Sequence, residues 1–328
     1  MKFSTIVSVG LTAITALAAP TPSISILKRA SIAKRAVTTS DIATTGYATE
    51  NGGTTGGKGG STIEVASLDE LTSAVEGDDA AIVLVTGPIS GDGDTVKVGS
   101  NKSVIGKDST AVLTNVGLIV KSVSNVIIRN LAIEKVVGAD AIGIQLATNV
   151  WVDHVDLSSD QTHDKDYYDG LLDVTHASDW VTVSNSYIHD HWKASLVGHS
   201  DSNGDEDTGH LTVTYHNNYF QNLNSRGPSY RFGTGHIYNN YYDTVSDGIN
   251  TRDGAQLLVQ NNVFVSSKKA LYSTDSGYAV ASGNDFGDSE NTAEEGTFTA
   301  APYTVDTLLD AADVEAAVVG TAGVTLSF

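Results

Sequence analysis

The chain has no cysteine, a single methionine and only five prolines. Without cysteine no disulfide braces the fold, and no thiolate serves as nucleophile or soft metal ligand. Its 328 residues must therefore be held by an extensive buried core. Cations are scarce as well, with 19 Lys and Arg against 39 Asp and Glu, a formal charge of −20. A nucleic acid or an anionic membrane requires a basic face that so few cations cannot supply. Long apolar runs are missing too, apart from one between Ile6 and Ala18, which is too short to span a bilayer.

That run follows Met1-Lys2 and closes on Ala18-Ala19, the pattern of a secretory signal over residues 1–19. Residues 20–35 carry Lys28-Arg29 and Lys34-Arg35 and no acid, which reads as a pro-segment removed after a dibasic pair, with a mature start near Ala36. Loss of residues 1–35 removes five cations and no acid, leaving 14 against 39 and a formal charge of −25. Residues 36–328 are expected to form one secreted, extracellular domain, working as a monomer with no nucleic-acid or membrane partner.

What the chain does contain is a repeat. Asn125–Asn130, Asn149–His154, Trp180–Asn185, Leu211–Asn217, His236–Asn239, Leu257–Asn261 and Tyr278–Gly283 are short, β-branched alternating runs that end at a polar corner. Most resume three residues later with Ile133, Leu157, Ile188, Phe220, Tyr242, Phe264 or Phe286. The corners are spaced by 24, 31, 32, 22, 22 and 22 residues, which predicts an all-β parallel solenoid. Asn recurring at one corner is expected to form a hydrogen-bonded ladder. The two long intervals hold insertions, Asp160 to Tyr168 and Ser200 to Gly209, placed where a repeat fold grows its binding loops. Residues 301–328 are expected to pack along the coils or cap an end.

Aligned on the repeat, Asp140 and Asp169 fall on adjacent coils, and Asp173 follows four residues later. Fully extended, Asp169 and Asp173 would stand about 13 Å apart, so Gly170 must bend the chain if the two are to share an ion. Three carboxylates without Cys or clustered His suit Ca²⁺; a solvated acidic rim is the equally open alternative. His154, His189, His191, His216 and His236 read as structural, as do Trp151 and Trp180. The acids of 201–207 and 285–295 read as solvating loops. Arg226 and Arg231 flank Gly227-Pro228 and need an anionic partner, which by itself is compatible with a structural ion pair. Asn101-Lys102-Ser103 is a candidate acceptor for N-glycosylation.

Trp151–His154, Lys165–Val174, Val181–Ser184, His191–Lys193, Leu196–Asp201 and Arg226–Asn240 follow one another as in the pectate lyase family of polysaccharide lyases, which this sequence resembles from roughly Gly56 to Ser282. The resemblance implies a single-stranded right-handed parallel β-helix that cleaves α-1,4-linked polygalacturonate by β-elimination with Ca²⁺. It implies calcium ligation by Asp140, Asp169 and Asp173, a Brønsted base at Arg226, and Lys193 and Arg231 as partners of substrate carboxylates. A guanidinium is ordinarily protonated, so that base implies an alkaline optimum. Many relatives carry a further acid where this chain has Gly138, which suggests one ligand fewer. A pectin lyase acting on methyl-esterified substrate is opposed by the three acids. A hydrolase would need paired acids around one bond, and a non-catalytic pectin-binding solenoid would have no use for Lys193, Arg226 and Arg231 beside the acids.

Overall fold

The computed structural model describes Met1 and residues 37–328. The signal and pro-segment expected within residues 1–35 lie outside the described residues, apart from Met1. Val37–Phe328 is one compact unit, a parallel β-solenoid.

Most coils lay one strand on each of three long parallel faces. The first face stacks eleven strands, among them Ser124–Arg129, Thr148–Asp153, Asp179–Ser184, Thr212–His216, Thr234–Tyr238 and Gln256–Gln260. Its register pairs Ile128 with Val152, Val152 with Val183, Val183 with Tyr215, Tyr215 with Ile237 and Ile237 with Val259, as the repeat predicts. The second face aligns Ile133, Leu157, Ile188, Phe220, Tyr242 and Phe264, the residues that resume each repeat. The third contains Ile142–Gln145, Leu172–Thr175, Leu196–Val197 and Ser229–Arg231. Near the N-terminal end the long strand Val112–Lys121 serves both the second and the third face.

Inside, like stacks on like. Phe220 and Tyr242 are 4.7 Å apart with planes 3° from parallel, and Tyr242 and Phe264 are 4.3 Å apart. Such pairs add about 0.5–1.5 kcal/mol each beyond their buried area. The first corner of each coil is turned by one residue in the left-handed region: Asn130, His154, Asn185, Asn217, Asn239 and Asn261 have φ between 48° and 56°. Asn tolerates that region because its short side chain bonds locally, which explains its recurrence.

The ladder is better formed one residue beyond the expected corner. The Nδ2 groups of Asn218, Asn240 and Asn262 donate to the Oδ1 atoms of Asn240, Asn262 and Asn284 at 2.9–3.0 Å. Asn217 and Asn239 make looser bonds of 3.5 and 3.2 Å to the coil before. Asn218, Asn240 and Asn262 are fully enclosed, so their amides must find partners in the stack, whereas Asn239, equally buried, also bonds the C-terminal segment, donating to Thr307 O and accepting from Leu309 N.

Both ends of the chain pack on the solenoid. Helix Leu68–Val75 covers the first coils with Leu71 and Val75, and its start is fixed by a capping box in which Ser67 accepts from Glu70 N while Glu70 accepts from Ala66 N. Helix Ala311–Val318 packs Val314 and Val318 against Tyr241 and Val263, so the C-terminal segment lies along the coils. Among the described residues no helix is long and apolar enough to cross a membrane.

Candidate functional site

Four successive coils meet at the junction between the second and third faces, and each contributes chemistry. Asp140 precedes Ile142–Gln145; Asp169 and Asp173 flank the entry to Leu172–Thr175; Lys193 ends Tyr187–Lys193; Arg226 and Arg231 bracket the entry to Ser229–Arg231. The ladder fixes their neighbourhood, since Asp173 pairs with Gly143 in register and Lys193 with Ser225. Arg226 is held with φ at 65°, and its carbonyl accepts from Ser195 N at 2.8 Å. The peptide between Gly227 and Pro228 is cis.

Asp140 and Asp173 converge across Gly170. A methyl group added to Gly170 would lie 2.6 Å from Asp173 Oδ1 and 2.9 Å from Asp140 Oδ1, so the two carboxylates cradle one point that the missing side chain leaves open. Gly170 N donates to Asp140 Oδ1 at 2.9 Å, and Leu196 N to Asp173 Oδ1 at 2.9 Å. Burial raises the pKa of both acids. Asp140 is raised further by Asp169, and Asp173, which stands well above the ordinary range, by Asp140. A buried and a half-buried carboxylate that repel each other around an open point are a hard-oxygen donor set suited to a divalent cation.

Asp169 stands apart from that pair. Its Oδ1 lies 3.1 Å from Lys193 Nζ, which is also 3.1 Å from Asp166. Among the described residues no three His, Asp or Glu side chains converge closely enough to ligate a metal as they stand. Burial acts to lower the Lys193 pKa, and the bonds to Asp166 and Asp169 outweigh it, so the net shift is upward. Arg226 Nη1 lies 3.9 Å from Asp173 Oδ2, which puts a cation at the edge of the carboxylate pair. Gly138 has φ at 71°, with open space where a side chain would stand.

Arg231 is more deeply engaged than the sequence suggested. Its Nε lies 2.6 Å from Asp201 and 3.1 Å from Asp253, and Nη1 donates to the Gly198 carbonyl at 3.0 Å. Arg252 joins the network through Asp201 at 3.1 Å. The acids of 201–207 are thus not all solvating. Asp201 bridges two arginines, and Asp207 is fully buried, accepting from Ala177 N at 2.7 Å, because the insertion folds back onto the coil instead of extending into water.

His189, His216 and His236 stack on Tyr187 or Tyr238 as structural residues. His191 instead supports the site. Its Nε2 lies 2.6 Å from the Asp169 carbonyl oxygen, which only accepts, so Nε2 carries the proton; Nδ1 faces the Ser159 hydroxyl. Burial pushes its pKa down to about 4, and it is neutral above that. The ring thereby anchors the chain immediately before the bend at Gly170. Sequence reasoning gave Asp166, His191 and Asp201 no part in the site, although each lies in a segment that carries the family resemblance. Asn101 Nδ2 donates to Asp78 O at 2.9 Å, and the glycosylation motif straddles the entry to the strand Lys102–Gly106, with Asn101 half-buried before it and Ser103 buried within it.

Comparison with known proteins agrees with this geometry. A family model described as pectate lyase matches residues 13–311. The chain is 63% identical to pectate lyase A of Aspergillus niger over 314 residues, covering 95% of this chain and 94% of that one. It is likewise 63% identical to pectate lyase A of Emericella nidulans over 320 residues, 95% of each. A solved pectate lyase from Bacillus sp. N165, in complex with trigalacturonate, superposes with a TM-score of 0.79 at 30% identity, covering 86% of this chain and 99% of that one. With a parallel solenoid, paired acids and flanking cations in place, the chain belongs to the pectate lyase family of polysaccharide lyases.

Proposed function

We propose that the protein is a secreted, calcium-dependent pectate lyase that cuts de-esterified α-1,4-polygalacturonate by β-elimination, leaving 4,5-unsaturated ends. The observation that carries the reading is the pair Asp140–Asp173, open at Gly170 and bordered by Arg226. Asp140 and Asp173 would hold the cation, with Asp169 turning in from Lys193 as third ligand. When bound, calcium supplies positive charge beside the uronate carboxylate and inverts the repulsion that an acidic protein exerts on a polyanion.

The chain's own groups act on the proton and on the charge. Arg226, in its neutral form, takes the proton at C5; the electrons of that C–H bond form the C4–C5 double bond as the C4–O bond breaks, and the departing oxygen is protonated from solvent. Lys193 faces the C6 carboxylate as negative charge builds there, which lowers the barrier only if it binds that charge better than the ground state. Arg231, fixed by Asp253 and the Gly198 carbonyl, presents its remaining N–H groups to a neighbouring carboxylate.

The test is absorbance of the conjugated double bond on polygalacturonate at alkaline pH, with and without a chelator. A signal that the chelator stops supports the reading; no signal from folded protein overturns it. R226K keeps the charge but changes the donor geometry. It is expected to lose turnover while binding substrate, and near-normal turnover would remove Arg226 from the base role.

A further inference from the structure

The two loops that interrupt the repeat do the same thing at two places. From 160–168, Asp166 reaches Lys193 Nζ at 3.1 Å; from 200–209, Asp201 reaches Arg231 Nε at 2.6 Å. Each acid is exposed, at 65% and 61%, whereas the cations are 15% and 11% exposed. The acids stand in water, Asp201 with a second hold on Arg252 at 3.1 Å; the cations do not. As the side chains stand, neither acid is the only partner of its cation. Lys193 also meets Asp169 at 3.1 Å, until that acid turns to the proposed calcium, and Arg231 also meets Asp253 at 3.1 Å and the Gly198 carbonyl.

Nor is Asp166 there by accident of a loose loop. The 160–168 segment is tied to three coils: Gly138 N donates to Tyr167 O at 3.2 Å, Trp192 Nε1 to His163 O at 3.0 Å, and Gln161 Nε2 to Asn222 O at 2.7 Å. Its own turn is closed by Asp160, which accepts from the backbone N–H groups of Thr162 and His163.

We infer that Asp166 and Asp201 are specificity-determining residues: they hold the two substrate-facing cations in the free enzyme and yield to a uronate carboxylate but not to its methyl ester. The inference rests on the proposed roles of Lys193 and Arg231. Exchange of one carboxylate for another on a cation conserves charge and hydrogen bonds, so it is close to neutral. An ester carbonyl brings no charge, and displacing an aspartate with it forfeits a charge-assisted bond. The filter therefore acts by penalising the wrong ligand.

The experiment compares kcat/KM on polygalacturonate and on highly methyl-esterified pectin for wild type, D166N, D166A, D201N and the double variant D166N/D201N. Asn keeps an acceptor without charge; Ala removes both. Each single variant is expected to narrow the preference for polygalacturonate about fivefold, and the double more, because exposed pairs contribute on this scale. Equal changes on both polymers would overturn the inference and leave the acids as supports of their cations. If wild type yields unsaturated product from neither polymer, the elimination reading fails separately. Calorimetry of trigalacturonate and its methyl ester then decides the filter, which stands if the binding ratio narrows in D166N and falls if it does not.

Discussion

Replacing Gly170 by Ala tests the carboxylate cradle with one methyl group. Gly170 is not in the left-handed region, so Ala is allowed by the backbone. The added carbon would sit 2.6 Å from Asp173 Oδ1, 2.8 Å from its Cγ and 2.9 Å from Asp140 Oδ1. Those distances are shorter than carbon–oxygen contact, and the carboxylates must rotate away. The methyl thereby occupies the point where both acids could reach a cation at about 2.4 Å. Ala in place of Gly restricts the unfolded chain, worth about 0.4–1 kcal/mol, which offsets much of the local crowding. Thermal stability is expected to move by no more than about 1 kcal/mol. Calcium affinity and turnover are expected to fall about 100-fold, equivalent to about 2.7 kcal/mol. Calorimetric calcium titration, a melting curve and turnover on polygalacturonate separate these effects. An enzyme within threefold of wild type in both calcium binding and turnover would refute the cradle.

His191→Leu should fold, yet bind calcium about tenfold more weakly and expose the amides of residues 169–172 to faster hydrogen exchange, with His191→Gln restoring much of both by placing an N–H near Nε2; equal behaviour of Leu and Gln would reduce His191 to a space filler. Asp153 is buried, which raises its pKa, but its contacts with His154 and Arg129 outweigh burial and hold it below the ordinary range. Its stabilisation is therefore present above the unfolded value near 3.8 and is lost as pH falls through the folded one, so Asp153→Asn should flatten the acid limb of a stability–pH curve; an unchanged limb would show that other carboxylates govern acid unfolding. Tyr242 buries a hydroxyl that has no hydrogen-bond partner among the described residues, and Tyr242→Phe should gain about 1 kcal/mol in denaturant unfolding, whereas a loss would mean that the hydroxyl is satisfied in solution.

The solenoid was legible because its signal repeats. Ile133, Leu157, Ile188, Phe220, Tyr242 and Phe264 recur after each corner and occupy one stack, and a register error at any coil would have put them outside. The repeat likewise set Asp140 and Asp169 on adjacent coils, since both are counted from aligned strands, but Asp173 entered only as the acid four residues further on, and its turn toward Asp140 across Gly170 needed the backbone bend. The partners of the cations were not legible. Asp166 and Asp201 lie in insertions, where the repeat gives no register and an acid in a strongly acidic chain carries no distinguishing mark. His191 looked like its stacked neighbours, because sequence does not tell a ring that faces another ring from one that faces a carbonyl. The Asn ladder was misplaced by one residue because 217 and 218, and 239 and 240, are both Asn, and sequence does not tell which of the two turns into the stack.

The placing of Asp140, Asp173, Lys193 and Arg226 on four consecutive coils makes the solenoid a ruler. Backbone pairing sets the graduation at about 4.8 Å per coil. The separation between one functional group and the next is thus a property of main-chain geometry, indifferent to most side-chain changes elsewhere in the rod. Removal of one whole 22-residue coil between the corners at Asn261 and Gly283, beyond the coil that carries Asp253, would shorten the rod by one graduation and leave the marks at the site where they are. A bound polymer is read along such a scale one division at a time, and new marks are added by lengthening a loop, never by moving the scale.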